Sequence, residues 1–204
     1  MAKNQSIQTF KSNVIDTAGL ARPNLFKVIL DFPANVKSAV NWKKNTGGKY
    51  QGSSVTELGE FVCRAAQLPS STIGVVEVPF RGRMLKIAGD RTFEPWTVTI
   101  MNDHDYKLRS AFEVWIGMIQ ETDHNFSNLG ITTPKTGTGA DDTYVDLQVR
   151  QLSRRGTAAK IVDYKFKNAY PSAISAIDLD WGSNDAIQEF TVEFQISHWN
   201  ESYA

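Results

Sequence analysis

Glu94-Pro95-Trp96-Thr97-Val98-Thr99-Ile100-Met101-Asn102-Asp103 holds the clearest signal in the chain. Trp96, Val98 and Ile100 alternate with Thr97, Thr99 and Met101, the period-two pattern of a half-buried strand, opened by Pro95 and closed by Asn102-Asp103. Immediately afterwards the period changes. Leu108, Phe112, Trp115, Ile116 and Ile119 fall at i, i+4, i+7, i+8 and i+11, which is one apolar face of an amphipathic helix between Asp103 and Gln120. Asn102 or Asp103 can cap that helix, and an acidic first turn suits its dipole. A strand followed by a helix with a single apolar face predicts a helix lying on a sheet, with those five residues as the helix-to-sheet core.

Upstream, Phe26, Val28 and Leu30 alternate with Lys27, Ile29 and Asp31 in a strand that Pro33 ends. Strand character returns from about Glu60 to Ala66. Val75 to Phe80 and Arg83 to Ala88 read as a hairpin around Arg81-Gly82, and Gly89-Asp90-Arg91 reads as a turn between two strands. Downstream come Tyr144 to Leu152, Lys160 to Lys167, Ile174 to Asp180 and a long final strand from Ile187 to Trp199. In that last strand Phe190, Val192, Phe194, Ile196 and His198 are expected on one face. About eight strands and one helix predict a mainly β fold, an antiparallel sandwich or barrel with a flanking helix. Residues 1–20 read as an N-terminal arm on a single domain, 21–204, with long polar loops at about 34–56 and 121–143.

The chain has 204 residues, with 22 Lys+Arg against 22 Asp+Glu, so its formal charge is zero. A domain that grips nucleic acid normally carries a basic excess, because its affinity comes from neutralising phosphates. Zero charge also leaves self-association unopposed by repulsion. A chain of this length buries roughly 70% of its unfolded surface, enough for one core without staples. Cys63 is the only cysteine, which excludes an intrachain disulfide and Cys-rich metal sites. MAKNQSIQTF has no apolar leader region, and no run approaches the ~18 apolar residues of a membrane span, so synthesis in a cytoplasm without membrane anchoring is expected.

Chemistry-bearing patterns are few. Thr46-Gly47-Gly48-Lys49 lacks the earlier Gly and the following Ser/Thr of a phosphate loop. His104, His124 and His198 lack metal-ligand spacing, and Asp103 and Asp105 around His104 are accounted for by the helix start. No Gly-x-Ser-x-Gly elbow is present. The basic clusters Arg81, Arg83, Lys86 and Arg150, Arg154, Arg155 read either as phosphate contacts or as arginines paired at strand ends and interfaces. No catalytic, metal-binding or cofactor-binding residue is predicted.

Three segments in order carry a resemblance: Ala21-Arg22-Pro23-Asn24-Leu25-Phe26; Phe80-Arg81-Gly82-Arg83-Met84-Leu85-Lys86-Ile87-Ala88-Gly89-Asp90-Arg91-Thr92-Phe93 running on through Pro95-Trp96 to Asn102-Asp103; and Leu179-Asp180-Trp181-Gly182-Ser183-Asn184 leading to Val192. Together they resemble the tail tube proteins of contractile-tailed bacteriophages, a family related to the tubes of contractile bacteriocins and of type VI secretion. The resemblance runs from about Ala21 to Trp199 and departs in the two polar loops. It implies a barrel or sandwich whose strands pool into a hexameric ring, and rings that stack into the inner tube of a virion tail, the conduit for double-stranded DNA. Implied partners are further copies of the chain, sheath protein, baseplate and tube-initiator proteins, and tape measure protein and DNA in the lumen. A tube initiator on the baseplate and a type VI-like ring are the alternatives. Interface candidates are Arg22, Pro23, Asn24, Phe26, Arg81, Arg83, Lys86, Asp90, Arg91, Asp180, Trp181 and Asn184. For Asp90-Arg91 and for Asp180 to Asn184 a purely local turn is the other reading.

Overall fold

β-Branched and aromatic residues in alternation dominate the chain, and it folds accordingly. The computed structural model describes residues 6–12, 20–39, 59–60, 62–121, 143–153 and 160–203. In chain order the elements are α1 (Ile7–Phe10), β1 (Phe26–Ile29), α2 (Ala34–Ala39), β2 (Cys63–Ala66), β3 (Ser71–Phe80), β4 (Arg83–Phe93) and β5 (Trp96–Met101). They continue with α3 (Lys107–Ile119), β6 (Val145–Leu152), β7 (Lys160–Ile174), β8 (Glu189–Gln195) and β9 (His198–Tyr203). Seven strands form one antiparallel sheet, in the order β1-β6-β7-β8-β5-β2 with β9 also on β7, while β3 and β4 pair only with each other.

The strand β5 follows its pattern to the residue: Trp96, Val98 and Ile100 are buried and the intervening residues half-buried. The helix α3 starts at Lys107, four residues later than Asp103. Tyr106 takes a left-handed backbone (φ 55°), and the Asp103 carboxylate accepts the N–H groups of Lys107 (2.9 Å) and Leu108 (3.4 Å). Asp103 therefore supplies the cap from outside the helix, and the first turn itself holds no acid. Leu108, Ala111, Phe112 and Trp115 are the buried face; Ile119 lies half-buried on the core margin, and Ile116 sits on the helix shoulder outside the core.

The core is aromatic. Phe112 packs against Phe190 and Phe194, Trp115 against Phe194, and Phe32 closes over both helix aromatics at 5.1 and 5.7 Å. Trp96 stacks on Phe166 at 4.3 Å. Both buried indoles donate to carbonyls, Trp96 to Gln67 (2.7 Å) and Trp115 to Thr143 (2.8 Å), so neither leaves an unpaired N–H.

Several boundaries differ from the expected ones. Lys160 to Lys167 is only the first half of a 15-residue strand that bends at Asn168 (φ 53°) and runs through Pro171 to Ile174; residues 175–180 are not a strand. The final strand is broken at Ile196-Ser197 into β8 and β9. Its register along β7 nevertheless runs from Val162↔Tyr203 to Pro171↔Phe194 without slipping, so the two halves are one strand kinked opposite Asn168. The kink takes His198 off the apolar face and leaves it exposed. The strand expected from Glu60 begins at Cys63, and the stretch 34–56 opens with helix α2. The rest of that stretch, residues 122–142 of the second polar loop, Arg154, Arg155 and His124 lie outside the described residues.

Burial pushes the Cys63 thiol up to about 12, which favours its protonated form. Among the described residues no helix is long and apolar enough to cross a membrane, and no group of three His, Cys, Asp or Glu could hold a metal ion.

Candidate functional site

The hairpin β3–β4 stands apart from the main sheet. Arg81 (φ 43°) and Gly82 (φ 79°) both take positive φ, the two-residue turn that matches strand twist. Pairing from Phe80↔Arg83 to Val75↔Ala88 puts Val76, Val78, Phe80, Leu85 and Ile87 on one face, with Arg83 at its tip end. The opposite face carries Val75, Pro79, Met84 and Ala88 around Glu77 and Lys86, which pair at 3.7 Å. Both faces are uncovered; on the first and more apolar of them Phe80 is 65% and Leu85 58% exposed.

Gly89-Asp90-Arg91, expected as a turn, lies inside β4. The register shifts between Ile73 and Val75, where Gly74 and Gly89 let the two backbones close up. A Cβ on Gly89 would sit 3.2 Å from the Gly74 carbonyl carbon and oxygen. Glycine serves close backbone approach here, and that need is indistinguishable from a turn in composition alone.

Arg91 works at the hairpin root. Its guanidinium lies 4.9 Å from the ring centres of both Phe93 and Trp199, and it donates to Ser71 Oγ at 3.0 Å. Trp199 in turn donates to the Ser70 carbonyl at 3.3 Å and meets Tyr164 edge-on. Sequence reading missed Trp199 and Ser70 as the anchor of the hairpin, because 129 residues separate them. Asp90 is exposed beside this root.

The other basic cluster behaves differently. Arg150 donates to the buried Asp163 carboxylate at 3.2 Å, and Gln148 donates to the same oxygen at 2.6 Å. Arg150 is thus a paired strand arginine. Arg81 and Arg83, at the hairpin tip, make no ion pair among the described residues; Arg81 lies 5.6 Å from the Phe80 ring.

Arg22, Pro23 and Asn24 form an exposed turn closed by Leu25 N–H to the Arg22 carbonyl (3.2 Å). Gln151 donates to the carbonyls of Arg22 and Leu25, and this fixes the entry of Phe26 into β1. Asp180 to Asn184 is a local turn: Asp180 accepts from Gly182 N–H (2.9 Å) and its carbonyl from Ser183 N–H (3.2 Å). This turn projects Trp181 fully into solvent, beside exposed Leu179 and Ile187. Arg109 pins the start of the segment, donating to the Ser175 carbonyl (3.1 Å) while paired with Glu113.

Two exposed apolar surfaces, the hairpin and the 179–187 stretch, are features of a chain that packs against other chains. The family model described as phage tail tube protein matches residues 21–202. Tail tube protein gp19 of Enterobacteria phage T4 is 29% identical over 189 residues, covering 92% of this chain and 96% of that protein. Among solved structures, a chain of the anti-feeding prophage baseplate, 6-fold symmetrised, shares the fold with a TM-score of 0.58 at 14% identity, over 91% of this chain and 97% of that one. A chain of an extracellular contractile injection system sheath–tube complex in the extended state does so with a TM-score of 0.57 at 12% identity, over 98% and 100%. The chain belongs to the phage tail tube protein family and is a structural component of the virion tail.

Proposed function

We propose that copies of this chain close into hexameric rings that stack into the inner tube of a contractile tail, the conduit through which double-stranded DNA leaves when the sheath contracts. The observation that carries this reading is the hairpin β3–β4, a two-stranded sheet with an uncovered apolar face. A lone two-stranded hairpin is marginal in water, so it needs a neighbour to cover it. Pooling strands between subunits would likewise cover the outer strands β1 and β2 of the main sheet. The six-fold baseplate and the sheath–tube complex among the structural relatives support a ring and a sheath-wrapped tube. Baseplate and initiator proteins would meet its ends, and tape measure protein and DNA its lumen. The role is structural and not catalytic. The family match begins at residue 21, which supports reading residues 1–20 as an arm reaching a neighbour; there Ile7 and Phe10 are exposed on α1.

The face of β5 and β8 turned away from the core is the candidate lumen wall. It carries Thr97, Thr99, Thr191 and Glu193, with Glu189 paired to Arg64. A conduit must not hold its cargo, and a wall without a continuous basic stripe offers DNA phosphates no counterion-releasing contacts. Polymers grown with a labelled short duplex should therefore retain none at physiological salt in a pelleting assay. Glu193→Lys with Thr191→Lys should create retention that falls steeply with added salt. Strong salt-dependent retention by the native tube would overturn the lumen assignment.

A further inference from the structure

Residues 175–188 join β7 to β8 without regular structure and surround an open hollow of about 560 Å3 in which Leu179, Trp181 and Ile187 present apolar surface. Every charge in this segment is negative: Asp178, Asp180 and Asp185, with no Lys, Arg or His. The hairpin tip has the opposite character. Beyond the Glu77–Lys86 pair it carries Arg81 and Arg83 and no acid, beside exposed Phe80, Met84 and Leu85. Each surface is apolar with unpaired charge of one sign, and the signs are opposite.

We infer that the tip of the β3–β4 hairpin of one copy seats in the 175–188 hollow of the next copy, Arg81 and Arg83 against its aspartates and Phe80 and Leu85 against Trp181 and Leu179. The inference rests on the self-assembly proposed above and names the two surfaces that meet. Opposite charge gives the contact its register, and the apolar residues give it strength. Trp181 suits a central role, since an exposed indole is the strongest aromatic partner for a guanidinium, and Trp and Arg dominate interface energetics. Two different patches on identical chains make a heterologous contact. Such a contact propagates into a closed ring or an open stack and does not stop at a dimer.

Charge reversal tests the pairing. Arg81→Glu with Arg83→Glu should raise the concentration needed for pelletable polymer at least about tenfold, and Asp178→Lys with Asp185→Lys should do the same. Asp180 is left intact because it holds the turn. Combining all four changes should restore assembly to within a few-fold of the native chain. A combination no better than either pair alone, or two reversed pairs that polymerise like the native chain, would overturn this contact while leaving the tube reading in place. A native chain that never polymerises would overturn both. Monomer melting temperatures check that the variants fold. Should one fail, Leu85→Cys and Leu179→Cys in a Cys63→Ser background provide a second measurement. A short bis-maleimide should link different copies only when both new thiols are present, and the lack of such links in formed tubes would refute the pairing.

Discussion

Replacing Val76, Val78, Leu85 and Ile87 with threonine leaves the monomer folded and stops it from polymerising. The four side chains share one face of the β3–β4 hairpin and are each about half exposed in the single chain. Threonine has high strand propensity and at Val76, Val78 and Ile87 keeps the β-branched shape, while the root contacts of Arg91 and Trp199 are untouched, so the monomer keeps its fold. What is lost is the apolar area a neighbour would cover. At about 1 kcal/mol for each half-exposed side chain, the contact weakens by about 4 kcal/mol, a factor of about a thousand in association constant. Sedimentation of the variant beside the native chain reads the effect. Polymer formed at native concentrations would mean that the exposed face is not an interface.

Trp115→Ala has the largest expected effect on folding. Trp115 is fully buried between Phe32, Phe112 and Phe194, and its indole N–H holds the Thr143 carbonyl. Truncating such a residue costs about 3–5 kcal/mol, which for a chain of this size lowers the melting temperature by about 10 °C or more. Trp181→Ala is the internal control. Trp181 is fully exposed, so its loss should change monomer stability by no more than about 0.5 kcal/mol. Equal melting shifts for the two would contradict the assignment of one tryptophan to the core and the other to an interface.

These two tryptophans also show what a sequence can convey. Trp115 was legible because it sits at helical spacing with Leu108 and Phe112, and β5 because its alternation is uninterrupted. The turn at Arg81-Gly82 was legible from its glycine. Less legible were features set by distant partners. Gly89 resembles a turn residue yet lies mid-strand against Gly74, and the kink in the last strand follows from Asn168 on β7. Asp103 signalled a cap correctly but not where the helix begins, because left-handed Tyr106 intervenes. Arg91 was readable as an interface charge, whereas its rings, Phe93 and Trp199, come together only in the fold. The alternation in β3 and β4 announced strands without saying which face is covered, since in a shared assembly the cover belongs to another copy.

The balance of 22 basic and 22 acidic residues acquires a spatial meaning from the same structure. Positive charge gathers at the hairpin tip, negative charge in the 175–188 segment, and the candidate lumen face is threonine- and glutamate-bearing. A neutral total divided in this way lets subunits attract at chosen places and repel nowhere as a whole.

Electron microscopy of the purified chain, concentrated in moderate salt, tests the central claim most directly. The account predicts hollow tubes of stacked rings with six subunits in each ring and the β3–β4 hairpin buried between copies. Monomers at high concentration, or an assembly in which that hairpin remains in solvent, would contradict it.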